Sequence, residues 1–298
     1  MIAPKTLVSS DIIQIVAPAK RVEVSCVTFA KDLFESWGYR VEVSKHCTGS
    51  HSYFSGTEEE RFQDMQNALD RIDIKAIVCA RGGYGSIRIL DRLDWSGFLK
   101  APKWLIGFSD ITVLHQRIHK LGIMSIHGTM PLNFQSNSKE ALQTLRASIS
   151  GGKFEIKIPS SLKNRKGKAR GRLVGGNLSI IYSLLGTPDT FDFEGAILFI
   201  EDLSEQLYHI DRMLYALKHA GVFEQINGLI IGGMTDIADT SPSVGFSLRD
   251  SIYEKIEKES LVVCFDFPSG HIEDNRSMVL GSEVTLDVGN VFSSLFYF

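Results

Sequence analysis

Four short stretches carry residue types suited to nucleophilic acyl chemistry. In WLIGFSDITVLH, Ser109 falls where a strand pattern gives way to a helix pattern, with Gly107 two residues earlier. This partly matches the nucleophile elbow G-x-S-x-G, in which a sharp turn presents a serine hydroxyl beside a helix N-terminus. Ile111 stands where the second glycine belongs, and a serine at such a junction also serves as an ordinary N-cap. Pattern alone leaves both readings open. In AIVCARGGYGSIRIL, Gly82, Gly83 and Gly85 crowd into one strand-to-helix turn, where the backbone can approach a ligand and expose amide donors. The turn is neither GxGxxG nor a Walker A loop, since no GK[ST] follows; a plain tight turn and an anion or oxyanion donor site both fit.

A serine nucleophile needs a base to take its proton and an acid to orient that base. His271 lies in FPSGHIEDN, a polar loop after a buried strand, with Gly270 giving room and Asn275 nearby. A base could be presented there, and a surface loop residue is the plainer alternative. Glu201 and Asp202 end the apolar strand AILFI, where a carboxylate is costly to desolvate unless paired. Either can hold an imidazole; capping a helix is the plainer role for Asp202. His115 and His119 sit too far along the helix after Ser109 to reach back, and His127 in IHGTM reads as structural. His209 and His219 read as surface or packing residues of one helix. His46 and His51 flank Cys47 without any zinc-ligand spacing, and no HExxH occurs, so neither metal nor cofactor is expected. Arg81 and Arg88 adjoin the glycine-rich turn and could meet a substrate carboxylate, although Arg88 on its helix reads more simply as a surface charge.

These residues need elements to position them. Strand-like runs IIQIVAPA, RVEVS, AIVCA, WLIGF and MSIHG alternate with helix-like stretches in the first half. In TEEERFQDMQNALDRI, Thr57 and Glu60 form a capping box, and Phe62, Met65 and Leu69 share one face. SIRILDRL is a second helix, and a third runs from Asp110 to about Leu121. A helix between successive strands implies parallel pairing through right-handed crossovers, so residues 1–150 are expected to form a layered α/β domain. Residues 151–171 are basic and rich in Gly, Ser and Lys, with one short alternating strand, FEIKI, and read as a solvated inter-domain linker that could carry a little sheet of its own. Residues 172–298 read as a smaller α+β domain. Its strands are GRLVGG, AILFIED, GLIIGGM and LVVCFDF, and its helices are NLSIIYSLLG, EQLYHIDRMLYALKHAG and FSLRDSIYEKIEK. Antiparallel strands around a Gly-Asn turn close the chain.

Composition bounds the function classes. The chain has 298 residues, enough for about two domains and a core that needs no staple. Net charge is −3, from 32 basic and 35 acidic side chains, which gives no sign of a nucleic-acid surface. The basic stretch at 151–171 lacks interleaved aromatics. No apolar run approaches 18 residues and the N-terminus lacks a long hydrophobic region, so neither a membrane span nor a signal peptide is expected. Cys26, Cys47, Cys79 and Cys264 are widely spaced and read as reduced thiols of a cytoplasmic protein.

Taken together, the motifs resemble the LD-carboxypeptidases, a serine peptidase family that includes murein tetrapeptide and microcin-immunity carboxypeptidases. The resemblance rests on YFSGTEEERFQDMQNAL, IKAIVCARGGYGSIRIL, IGFSDITVLH, IHGTM, GRLVGGNLSIIYSLLGTP, ILFIEDLSEQLYHIDRML and SGHIEDNRSMVLG, in family order across nearly the whole chain. It implies a flavodoxin- or Rossmann-like N-terminal α/β domain carrying the nucleophile and a smaller β-rich swivelling C-terminal domain carrying its partners. The implied triad is Ser109, His271 and Glu201, with the backbone N–H groups of Gly83 and Asp110 as the oxyanion hole. The implied substrate is a small peptide, a murein tetrapeptide that loses its terminal D-alanine during cytoplasmic wall recycling. The same resemblance favours a homodimer, while spacing, charge and hydropathy lead to no expected cofactor, metal, nucleic-acid or membrane partner. A microcin-immunity-type enzyme cleaving an acidic-residue nucleotide amide is the alternative within the family, and a non-catalytic two-domain binding protein is the alternative outside it.

Overall fold

The computed structural model describes residues 1–152, 154–256 and 260–297. Lys153 of the basic stretch, the last two residues of the helix expected over FSLRDSIYEKIEK and the final Phe298 lie outside the described residues. The chain divides into two compact units, Met1–Lys153 with Glu273–Val279, and Phe154–Ile272 with Leu280–Phe298.

The first unit contains β1 (Ile12–Val16), α1 (Val24–Ser36), β2 (Arg40–Val43), α2 (Glu58–Asp70) and β3 (Ile74–Cys79). It continues with α3 (Ser86–Leu90), α4 (Ser96–Lys100), β4 (Trp104–Gly107), α5 (Thr112–Lys120), β5 (Ser125–His127) and α6 (Lys139–Ser150). The second unit contains β6 (Glu155–Pro159), β7 (Gly167–Asn177), α7 (Leu178–Ser183), β8 (Ile197–Leu203), α8 (Leu207–His219) and α9 (Val222–Gln225). β9 (Gly228–Thr235), α10 (Leu248–Lys255) and β10 (Val262–Cys264) follow, then β12 (Glu283–Val288) and β13 (Phe292–Tyr297), while β11 (Met278–Leu280) between β10 and β12 joins the sheet of the first unit. No described helix is long and apolar enough to cross a membrane.

The first sheet runs in the order β11-β5-β4-β3-β1-β2, with β1 to β5 paired in parallel as the alternating pattern predicts. Strand order reverses between β1 and β3, and ligands of open α/β sheets gather outside the carboxyl ends of strands at such a point. The turn after β1 and the turn after β3 meet there, where the Lys20 N–H donates to the Gly82 carbonyl at 3.3 Å. The capping box of α2 forms: the Glu60 N–H donates to Thr57 Oγ1 at 3.2 Å, and the Thr57 N–H donates to Glu60 at 2.8 Å. The buried face of that helix differs from expectation. Met65 and Leu69 are inside, but Phe62 is only half-buried beneath the Arg92 guanidinium, and Arg61 and Asp64 are buried in its stead.

The second sheet is mixed, in the order β10-β9-β8-β7-β12-β13-β6. Its β10, β9, β8 and β7 pair in parallel, and β7, β12, β13 and β6 pair antiparallel. The core packs Val174, Leu198, Ile200 and Leu229 of the parallel strands against Ile210, Met213 and Leu217 of α8.

Two boundaries differ from the sequence reading. Residues 151–171 are more than a linker: β6 forms over the expected FEIKI run, and the start of β7 takes up residues 167–171. The basic residues there are one face of a two-faced strand: Lys168 and Arg170 point to solvent and pair with Asp287 and Glu283, while Ala169 between them is buried. The C-terminal segment is likewise not all of one unit, since Glu273–Val279 returns to the first. There, Ser138 Oγ donates to Asp274 at 2.7 Å, the Ser277 N–H donates to Thr144 at 3.0 Å, and β11 extends the sheet edge beside β5.

Candidate active site

In the first unit the buried strand β4 delivers the chain to Phe108, whose backbone is extended, and then to Ser109 at φ 64°. Ser109 does not cap a helix. It lies inside a single 3-10 turn, Ser109–Ile111, that leads into α5, and no side chain caps that turn. A left-handed backbone at a residue with a Cβ costs about 1–3 kcal/mol and lifts the side chain out of the line of the strand. The missing second elbow glycine is explained by packing. Buried Ile111 lies over Gly107, where a Cβ would sit 2.9 Å from Ile111 Cγ1.

The glycine-rich turn after β3 lies against this elbow. A Cβ on Gly82 would stand 3.0 Å from Ser109 Cβ and 3.3 Å from the Asp110 nitrogen, so only glycine allows the two backbones this close. Gly83 is exposed at φ 102°, a backbone conformation that glycine adopts without strain. The buried Asp110 carboxylate accepts the Ser86 N–H at 2.9 Å and thereby ties the elbow to the turn. Burial raises its pKa above the usual carboxylate value against these donors.

Arg61, which sequence reasoning missed, supports the same turn from α2. It is 2% exposed, donates Nη1 to the Gly85 carbonyl at 3.0 Å and to the Pro18 carbonyl at 2.6 Å, and stacks on Phe54. The available signal was its spacing: an arginine four residues before Met65 shares the apolar stripe of the helix.

In the second unit β8 carries Glu201, which is fully buried. His271, on the loop after β10, donates Nδ1–H to Glu201 Oε2 at 2.6 Å from 70 residues away. A carboxylate only accepts, so Nδ1 carries the proton and Nε2 keeps its lone pair. The imidazole is 16% exposed, and Thr235 Oγ1 donates to its backbone carbonyl at 2.7 Å. Gly270 (φ 108°) is required here, because a Cβ would fall 2.7 Å from Glu201 Cβ. Burial pulls the His271 pKa down, but the hydrogen bond and charge of Glu201 outweigh it and leave it raised. Burial raises the Glu201 pKa. Asp202 plays a different part, accepting from Asn177 Nδ2 and from the Ser179 N–H and Oγ at the start of α7.

The structure therefore brings Ser109, Gly83 and Asp110 into one cluster and Glu201 with His271 into another. The clusters belong to different units. The other histidines have separate surroundings. His115 bridges Ser125 Oγ at 2.8 Å and the Gly107 carbonyl at 2.9 Å, and burial pushes it down to about 4. His127 is buried against the rings of Phe108 and His115, and His46 pairs with Asp64 at 3.0 Å. His209 pairs with Glu205, and His219 stacks on Tyr215. Arg88 is a surface ion pair with Glu58, whereas Arg81 donates to the Arg21 carbonyl beside the glycine-rich turn.

Both halves of the chain resemble known proteins. Residues 13–128 match the model of the LD-carboxypeptidase N-terminal domain, and residues 170–286 match that of the C-terminal domain. The murein tetrapeptide carboxypeptidase of Pseudomonas aeruginosa is 31% identical over 288 residues, covering 92% of each chain. A solved muramoyltetrapeptide carboxypeptidase from Oxalobacter formigenes superposes with a TM-score of 0.87 at 27% identity, covering 96% of this chain and 98% of that one. The microcin C7 self-immunity protein in complex with aspartyl sulfamoyl adenosine shares the fold, with a TM-score of 0.85 at 21% identity over 99% of this chain and 98% of its own.

Proposed function

The chain belongs to the LD-carboxypeptidase family, and from that membership we propose that it releases the terminal D-alanine of a murein tetrapeptide through Ser109, His271 and Glu201. The reading is carried by the buried Glu201–His271 pair, which fixes the tautomer that leaves Nε2 able to accept a proton. His271 takes the Ser109 proton as Ser109 attacks the carbonyl carbon of the L,D-peptide bond. Negative charge then develops on the carbonyl oxygen, and the N–H groups of Gly83 and Asp110 receive it. Backbone donors held in place before reaction need no reorganisation as that charge appears, which is why such a site accelerates acyl transfer.

The tetrahedral species collapses when His271 gives its proton to the departing amine, and D-alanine leaves. Water, deprotonated by the same imidazole, then hydrolyses the ester on Ser109 and restores the enzyme. Glu201 offsets the positive charge that His271 carries in each half-reaction. The Pseudomonas relative is named for a murein tetrapeptide substrate, and we place this enzyme likewise in the breakdown of wall peptides.

The direct test is D-alanine release from an L,D-tetrapeptide, followed by mass spectrometry. Ser109→Ala keeps the Cβ and hence the backbone, so its melting temperature should match the parent while turnover falls by on the order of 10⁴-fold or more. Undiminished release by Ser109→Ala would sink the assignment.

A further inference from the structure

A peptidase that removes one terminal residue must recognise a chain end, and the end bears a carboxylate. Only the nitrogen and α-carbon of the leaving residue separate that carboxylate from the scissile carbon. Its receptor must therefore lie beside the groups that hold the scissile carbonyl. Lys20 occupies such a place. It follows β1 at the reversal of strand order, and its N–H is bonded to the Gly82 carbonyl. A Cβ built on Gly83 would lie 3.0 Å from Lys20 Cβ, 3.3 Å from Lys20 Cδ and 2.8 Å from the Tyr53 hydroxyl. The lysine stem and the phenol thus flank the α-carbon of exposed Gly83. The ammonium is carried over the Tyr53 ring at 4.7 Å from its centroid, and among the described residues it enters no ion pair. The nearby Arg88 is already engaged by Glu58, and Arg81 is turned to the Arg21 carbonyl.

We infer that Lys20, with the Tyr53 hydroxyl beside it, binds the C-terminal carboxylate of the leaving residue and so makes the enzyme an exopeptidase. The inference rests on the proposed peptidase reading and on Gly83 as an oxyanion donor. An ammonium is a point charge on a flexible stem and suits a carboxylate that departs with its product. The phenol can donate a second hydrogen bond to the same group.

The test compares an L,D-tetrapeptide with its C-terminal amide, using parent enzyme, Lys20→Met, Lys20→Arg and Tyr53→Phe. The parent should prefer the free acid. Lys20→Met should lose roughly 10- to 100-fold in kcat/KM on the acid, through KM, while its rate on the amide stays unchanged. Lys20→Arg should recover most of the preference, and Tyr53→Phe should lose a smaller part of it. Lys20 is half-exposed, so equal melting temperatures are expected. A Lys20→Met enzyme that still discriminates acid from amide like the parent overturns the inference, as does equal loss on both substrates. Failure of the parent enzyme on both substrates would instead overturn the peptidase reading.

Discussion

Glu201 acts on His271 through charge as well as through geometry. In the proposed mechanism the imidazole must be neutral to accept the serine proton, so the rate is lost as pH falls through its pKa. Burial alone would move that pKa below the ordinary value near 6.5; the carboxylate reverses the direction and leaves it raised. The acid limb of kcat/KM is therefore expected above about pH 6.5. In Glu201→Gln the burial persists and the charge does not, so His271 should titrate below its ordinary value. The rate should fall by about 10⁴-fold, because an amide no longer selects the reactive tautomer. An NMR titration of His271 in both proteins checks the shift, and an imidazole titrating at the same pH in both contradicts it. At this scale the sequence made Ser109 and the glycine turn readable because turn chemistry is local. The Glu201–His271 contact joins strand β8 to a loop 70 residues away, so the residues alone suggested the pair only weakly and the family resemblance carried it. Arg61 escaped notice because a charged side chain in an apolar stripe looks like a break in the pattern until its carbonyl partners are known.

Elements explain why several of these residues can be where they are. β8 carries Glu201 into the interior, and β7 approaches it so closely that a Cβ on Gly175 would fall 1.9 Å from the Phe199 carbonyl oxygen. Gly175 also sits at φ 138°, so an added methyl is both strained and blocked by backbone. Gly175→Ala is expected to destabilise the protein by about 4 kcal/mol or more, seen as a lowered urea midpoint or loss of soluble protein. An unchanged midpoint would contradict the close strand approach. GRLVGG was legible as a strand, but the purpose of its paired glycines lies on the neighbouring strand and has no local signature. The α2 capping box shows the opposite case, for both partners lie within one turn and the pattern predicts the bond. Charge composition misled at 151–171, where a run of lysines and arginines concealed regular alternation about buried Ala169.

For the whole molecule, the return of Glu273–Val279 to the first unit makes that unit discontinuous in sequence. Residues 1–153 alone would lack the edge strand β11 and would leave Ser138 and Asn137 without the backbone and side-chain partners that 273 and 274 supply. They are expected to melt at lower temperature, or to aggregate through the uncovered edge of β5, compared with the same residues joined by a flexible linker to 273–280. Equal melting of the two chains would contradict the assignment. The two-domain estimate from chain length was right in number, yet length says nothing about a chain that leaves one unit and comes back.

That return also orders events on the ribosome. Chains generally fold from the N-terminus as they are made. Here the serine-bearing unit waits for its last strand until Leu280 has been synthesised, long after residue 153. The nascent chain therefore carries an unfinished sheet while residues 154–272 are made.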